Sequence, residues 1–398
     1  MKATKLISFM LTAAGLLSLT ACGEQDSKGS PVSDISKTDA SNAEKSSVNS
    51  DNPDRDRTLP SSPGSASQNV ASPNKTVKSF AETPNEGGSE STRENFEADA
   101  PIPNEDGGIY GAELVLDSGR CIMLHSMNSE NGKSYAAAVN KYKEKFPNVN
   151  MYSLIVPTAI SYYLPEKFKE YDPGEKEHID EINARLKNIT PVDVYTALAK
   201  HTGEPIYFNT DHHWTQLGAF YGAEEFAKTA GVDFKPLTEF EKFDAGDFVG
   251  SAYGNSGNNP AIAETPERFI YYVPKSDFST TFYELDGSGG TPFKYFENPE
   301  EFDKFGMYSL YMYGDVHIVR LNTSCKNGRK LLVLKEAFAN PFCCNLVNSF
   351  EDVWIADIKY MKTTAAKLIN DNGITDLLFC LSTFSTSGAN QEFLSKVM

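Results

Sequence analysis

M-Y-S-L-I-V-P, residues 151–157, is a short and nearly continuous apolar run. A strand with one wet face alternates apolar and polar side chains; a strand apolar on both faces is typical of a parallel sheet covered by two layers. The neighbouring sequence supports the second reading. Upstream, S-Y-A-A-A-V-N-K-Y-K-E-K-F at 134–146 repeats Tyr135, Val139, Tyr142 and Phe146 at three-to-four spacing and stops at Pro147, which predicts a helix. Downstream, E-H-I-D-E-I-N-A-R-L at 177–186 predicts a second amphipathic helix. R-K-L-L-V-L-K (329–335), V-W-I-A-D-I-K-Y (353–360) and I-T-D-L-L-F-C-L (374–381) repeat the strand pattern, with helices expected at 361–372 and at the end of the chain. Four or five parallel strands with intervening helices imply a three-layer, flavodoxin-like α/β fold with helices on both faces. In such folds ligands bind outside the carboxyl ends of the strands.

Before the first run, A-E-L-V-L-D and C-I-M-L-H flank Ser118-Gly119 and predict a hairpin. Residues 244–330 predict an irregular insertion, in which G-N-S-G-N-N-P and D-G-S-G-G-T-P suggest long loops or an excursion carrying small strands. Neither stretch has phosphate-loop spacing. Within that insertion M-Y-S-L-Y-M-Y, residues 307–313, reads as a half-buried strand in preference to a sugar-stacking platform.

The chain begins with a basic start, an apolar run too short for a bilayer crossing, and Leu19-Thr20-Ala21-Cys22, which resembles a lipobox. Residues 1–22 are therefore expected to be a lipoprotein signal peptide, with Cys22 lipidated and the mature protein held on the outer face of the bacterial cytoplasmic membrane. Residues 23–108 are rich in Ser, Asn, Asp, Glu and Pro and too poor in apolar side chains to offset their chain entropy. They are expected to form a disordered tether with a reach of roughly 50 Å. The folded domain is expected at 109–398. A net charge of −17 argues against a nucleic-acid partner. Besides Cys22 the chain has five cysteines, Cys121, Cys325, Cys343, Cys344 and Cys380, without a C-x-x-C pair, so they read as buried thiols with at most one disulfide.

Functional residues are concentrated in F-N-T-D-H-H-W-T-Q-L-G, residues 208–218, at the start of a helix expected from Thr215 to about Ala230. Two of the chain's six histidines stand there side by side. A carboxylate two residues from an imidazole can hold one ring nitrogen and leave the other free as a base. Metal binding by Asp211, His212 and His213 is the weaker reading, since adjacent histidines on a turn are expected to point apart and no H-x-x-x-H spacing supports it. Simple packing, with Trp214 buried, is the bland alternative. For His125 and His317, packing or exposure is expected.

T-D-H-H-W-T, together with the preceding E-P-I-Y-F-N, resembles the DHHW family of Gram-positive bacterial surface proteins. L-I-V-P-T at 154–158, L-L-V-L-K-E-A-F-A-N at 331–340 and the later A-D-I-K-Y extend the resemblance over most of 109–398. It implies an SGNH-hydrolase-like fold similar to the alginate O-acetyltransferase group, with Asp211 as orienting carboxylate, His213 as base, and His212 and Trp214 shaping the binding loop. No metal or cofactor is implied. The family's K-D-S-Y-A turn reads K-E-A-F-A here, so the serine nucleophile falls on Ala337. In a subtilisin-type triad, loss of the nucleophile costs on the order of a million-fold in turnover. Cys343 lies six residues further on, roughly 9 Å if helical, and Ser349 is farther still. The expectation is therefore a surface lipoprotein related to glycan O-acyltransferases or esterases, weakly active or inactive. The alternative is a non-catalytic binding or assembly protein with a cell-envelope glycan or protein partner.

Overall fold

Thirteen strands are formed by the residues described in the computed structural model, which are Ile102 and residues 104–398. The expected signal peptide, the lipidation site Cys22 and nearly all of the expected tether lie outside them. Five strands build a parallel sheet: β4 (Asn150–Val156), β5 (Thr190–Val192), β11 (Lys330–Lys335), β12 (Asp352–Asp357) and β13 (Asp376–Ser382). Their spatial order is β5-β4-β13-β11-β12, so the last strand of the chain is inserted between the first and the third of the five. The register sets Lys335 beside both Cys380 and Asp357, which aligns the carboxyl ends of the three central strands.

The apolar runs form strands because both of their faces are covered. Leu331 and Val333 face one core with Tyr152, Leu154, Val353, Ile355 and Leu378. Leu332 and Leu334 face the other with Met151, Ile155, Ala356 and Phe379. Each fully buried leucine is worth about 1.5–3 kcal/mol relative to exposure, which fixes the register firmly. The second core is covered by helices Ser129–Lys145, Glu175–Asn183 and Ala365–Asn372, and the first by Val194–Ala199 and Gln216–Ala230. The three-layer expectation therefore holds.

Boundaries moved where caps decide them. The first long helix starts five residues before the apolar period, because the Asn128 side chain accepts hydrogen bonds from the backbone N–H groups of Glu130 and Asn131. The helix expected at 361–372 begins only at Ala365, capped by Thr364. The expected hairpin is present as β2 (Glu113–Leu116) and β3 (Cys121–Met123), joined at the amino end by β1 (Gly107–Tyr110).

Within the expected insertion the chain carries strands. β6 (Phe240–Phe248) and β7 (Glu267–Pro274) pair with each other. β8 (Phe278–Tyr283), β9 (Thr291–Phe293) and β10 (Ile318–Thr323) extend the main sheet beyond β12 as an antiparallel edge, making eight strands. Residues 307–313 are not a strand. Met307–Leu310 is a 3-10 turn, and Met312 and Tyr313 take positive φ of 57° and 52°, which breaks an alternation that looked regular by residue type alone.

One buried carboxylate joins three elements at the carboxyl edge. Glu175 accepts hydrogen bonds from Thr158 N (2.8 Å) and Thr158 Oγ1 (3.0 Å) after β4, from Ser161 Oγ, and from Thr383 Oγ1 after β13. It also meets His125 Nε2 at 3.1 Å, while His125 Nδ1 lies 3.2 Å from Met123 O. An acceptor at each ring nitrogen favours the charged form of His125: burial opposes the charge, but the bond to Glu175 and its negative charge raise the His125 pKa above its ordinary value. Burial likewise opposes ionisation of Glu175, and His125 with the hydroxyl donors brings its pKa below the carboxylate norm. The pair therefore contributes fully between the ordinary unfolded values, about 4.5 and 6.5. Its His125 share is lost as pH rises through the raised folded value, and its Glu175 share as pH falls through the lowered one. Glu175→Ala is expected to cost about 3–5 kcal/mol in urea unfolding. His125→Gln is expected to flatten the decline of stability above pH 6.5, measured by the same titration across pH.

Candidate active site

The 208–218 segment is held in place before its imidazoles do anything. Tyr207 bridges to Trp214 in an isolated antiparallel pair, and Cys121 N donates to Asn209 O at 2.7 Å. Glu267 on β7 accepts from Asn209 N (2.9 Å), Thr210 N (2.7 Å) and Thr210 Oγ1 (2.7 Å). Thr215 then caps the helix by accepting from Gly218 N, and Gly231 ends it at φ +67°. Gly222, two turns in, has to be glycine because a Cβ would stand 2.9 Å from the Trp214 ring.

Within this frame Asp211 and His213 form a close pair. Asp211 Oδ1 lies 2.5 Å from His213 Nδ1 and also accepts from His213 N at 2.9 Å, while Oδ2 accepts from Ser251 N at 2.8 Å. Burial would raise the Asp211 pKa, but the attraction to His213 and His212 in their protonated forms and these hydrogen bonds hold it well below the usual carboxylate range. An ionised Asp211 fixes Nδ1 of His213 as the protonated nitrogen and leaves Nε2 as the lone-pair nitrogen, the arrangement a general base requires. His213 is 7% exposed, with its ring stacked on Tyr308 (centroids 4.2 Å apart) and 4.6 Å from Phe338.

The turn after β11 meets this pair. Trp214 Nε1 donates to Phe338 O at 2.6 Å, and Tyr308, whose ring covers His213, donates its hydroxyl to Ala337 O at 3.0 Å. Ala337 opens a short 3-10 turn and is half-buried, whereas Glu336 and Phe338 on either side are buried. The structure thus brings Asp211, His212, His213, Trp214 and Ala337 together at the carboxyl edge. Neither substitute weighed from the sequence, Cys343 or Ser349, is available there. Cys343 is fully buried, with its thiol pushed up to about 12 by burial, and Ser349 is buried with its hydroxyl donated to Asp233 O. All five cysteines among the described residues are free thiols.

Two expectations about the histidines change. His212 and His213 do not point apart: their ring centroids are 3.9 Å apart. His125 is not merely packed, being the partner of Glu175, while His317 stacks on Phe282 as a packing residue would. One ligand atom from each of Asp211, His212 and His213 falls within a 4.8 Å cluster. These donors suit a proton relay better than a metal, because the Asp211 oxygens are shared with His213 and Ser251, and His212 Nδ1 is 2.6 Å from Ser251 Oγ. Two remaining Nε2 atoms do not complete a four-ligand centre.

The family model described as DHHW protein matches residues 78–356. The chain belongs to the DHHW family. A crystal structure of a DHHW family protein from Eubacterium siraeum is 36% identical, covers 74% of this chain and 98% of that one, and superposes with a TM-score of 0.69. PatB1 of Bacillus cereus is 22% identical over 73% of this chain and 100% of its own, with a TM-score of 0.57. A second PatB1 structure, with a sulfonyl adduct, gives 22% identity, 71% and 97% coverage and a TM-score of 0.58. The PatB1 likeness is one of fold. No curated protein matches the chain.

Sequence reading of this DHHW chain missed four residues that position the site: Gly250, Ser251, Glu267 and Tyr308. Tyr308 stood in a stretch read as a strand, and Gly250, Ser251 and Glu267 belong to no local pattern and lie about 40 to 57 residues from their partners. Gly250 is the most constrained, since a Cβ there would stand 2.2 Å from Asp211 Cβ and 2.5 Å from Oδ2. Gly250→Ala is expected to displace Asp211 and cost about 1–3 kcal/mol. Gly254→Ala, where an added Cβ meets nothing within 4 Å, should stay within about 0.5 kcal/mol of wild type. Urea titrations of both variants test this.

Proposed function

We propose that this protein is an extracytoplasmic lipoprotein, anchored to the outer face of the bacterial cytoplasmic membrane through Cys22, whose α/β domain descends from SGNH-type O-acyltransferases or esterases of cell-envelope glycans. It keeps the orienter and base, Asp211 and His213, and lacks the serine they would serve, so it turns over substrate weakly or not at all. The retained site engages a cell-envelope glycan.

The observation that carries this reading is the contact between two loops far apart in sequence. Tyr308 touches both the His213 ring and the backbone of position 337, and Trp214 locks the adjoining carbonyl. Such proximity has a use in acyl transfer, where a hydroxyl on that turn would pass its proton to His213 Nε2. In an ordinary packing motif a buried, ionised Asp211 would be an expensive way to orient a ring. The fold likeness to PatB1, one of whose structures holds a sulfonyl adduct, is in keeping with an acyl-transfer ancestry.

Ala337→Ser, alone and combined with Glu336→Asp, is expected to create p-nitrophenyl acetate hydrolysis that His213→Ala abolishes. Inactivity of both backgrounds with folding intact would contradict the ancestry and favour a surface binding or assembly protein without chemistry. For the anchor, Cys22→Ser is expected to move the protein from the detergent-soluble membrane fraction to the medium; retention in the membrane fraction would contradict it.

A further inference from the structure

The nucleophile position is empty of oxygen, yet a hydroxyl from another loop stands against an imidazole of the 208–218 segment. Ser251 Oγ lies 2.6 Å from His212 Nδ1, within the separation expected of a nucleophile and its base. The contact is reachable: Ser251 is half-buried and the His212 side chain is 24% exposed. Both residues are fixed from outside the pair. Ser251 N is tied to Asp211 Oδ2, and the His212 ring lies against His213 and Phe338. Burial, and the charge His213 carries when protonated, push His212 down to about 3, so at neutral pH it is uncharged, and in the tautomer with its proton on Nε2 the Nδ1 lone pair can take the hydroxyl proton. Asp211 Oδ1, 3.8 Å from that same Nδ1, meets the positive charge that appears when it does.

We propose that Ser251 is an acyl-accepting residue, attacking small carboxylic esters with His212 as its base. In the step, the Ser251 Oγ–C(acyl) bond forms and the bond from the acyl carbon to the leaving oxygen breaks. The electron pair leaves with that oxygen, and the Oγ proton passes to His212 Nδ1 and on to the leaving alkoxide. The weak basicity of His212 makes the step slow. The Ser251 backbone N–H is committed to Asp211 and gives the oxyanion no help. The expected product is one stable acyl group per chain, not turnover. This rests on the reading of the retained site as one for acyl groups, but it does not need position 337.

Full-length protein incubated with p-nitrophenyl acetate at neutral pH, followed by intact mass and peptide mapping, tests the assignment on the wild type itself. Expected are one acetyl group on the peptide containing Ser251, its absence from Ser251→Ala with unchanged circular dichroism, and a labelling rate lowered roughly tenfold or more in His212→Ala. Label confined to other residues, or Ser251 labelled equally fast in His212→Ala, would overturn it. If Ala337→Ser hydrolyses the ester while wild-type Ser251 stays unlabelled, the inference falls and the ancestry of the site stands. If Ser251 is labelled while Ala337→Ser is inert, the inference stands and the ancestry falls.

Discussion

An indole N–H donated by Trp214 to the carbonyl of Phe338 spans 124 residues of chain and decides what the site can be. Without it, the segment carrying Asp211 and His213 would be one more buried loop. With it, the imidazole is set against the turn that leaves the carboxyl end of β11. The bond is protected on both sides, because Trp214 is fully buried and its ring lies parallel to Phe342. Gly222 clears the space the ring occupies. A buried carbonyl that lost this donor would cost about 1–3 kcal/mol, so the clamp matters to folding as well as to placement.

Around the clamp, the carboxyl edge holds several ionisable groups out of water, each met by a named partner. Lys335, which ends β11, is 1% exposed and faces both Asp315 and Asp357, with Asn340 Nδ2 donating to Asp315 at 3.0 Å. Burial disfavours its charge, and the two carboxylates more than restore it, keeping its pKa above the ordinary lysine value. Glu336 accepts from Ser382 N at 2.8 Å, which ties the turn of position 337 to the end of β13. Glu175 and His125 do the same for β4 and β13. Buried ion pairs of this sort add little net stability, but breaking one is costly. Their effect is to set the turn geometry, so a catalytic frame persists although Ala337 offers no nucleophile.

The parallel core was legible because burial on both faces writes itself into composition. β4, β11, β12 and β13 are apolar at almost every position and needed no partner to be recognised. The helix after Trp214 was equally plain, with a threonine cap at one end and glycine at the other. β8, β9 and β10 could be foreseen only as small strands without bounds or partners: as antiparallel edge strands they are half polar and sit among glycine-rich turns. At Met312 and Tyr313 residue type imitated a strand while the backbone turned left-handed. The dyad could be read as a motif, but Gly250, Ser251, Glu267 and Tyr308 could not. Their roles arise from tertiary contacts, to which no local period corresponds. The pairing of His212 with Ser251 also explains why the two histidine rings face one another when a simple turn would splay them.

A crystal structure of the Ala337→Ser variant measures the central relationship most directly. The introduced hydroxyl should lie within about 3 Å of His213 Nε2, with the Trp214 to Phe338 bond and the Asp211 to His213 contact both retained. A hydroxyl directed away from the imidazole, or separated from it by the rings of Phe338 and Tyr308, would contradict the view that these two loops form the remnant of one catalytic centre.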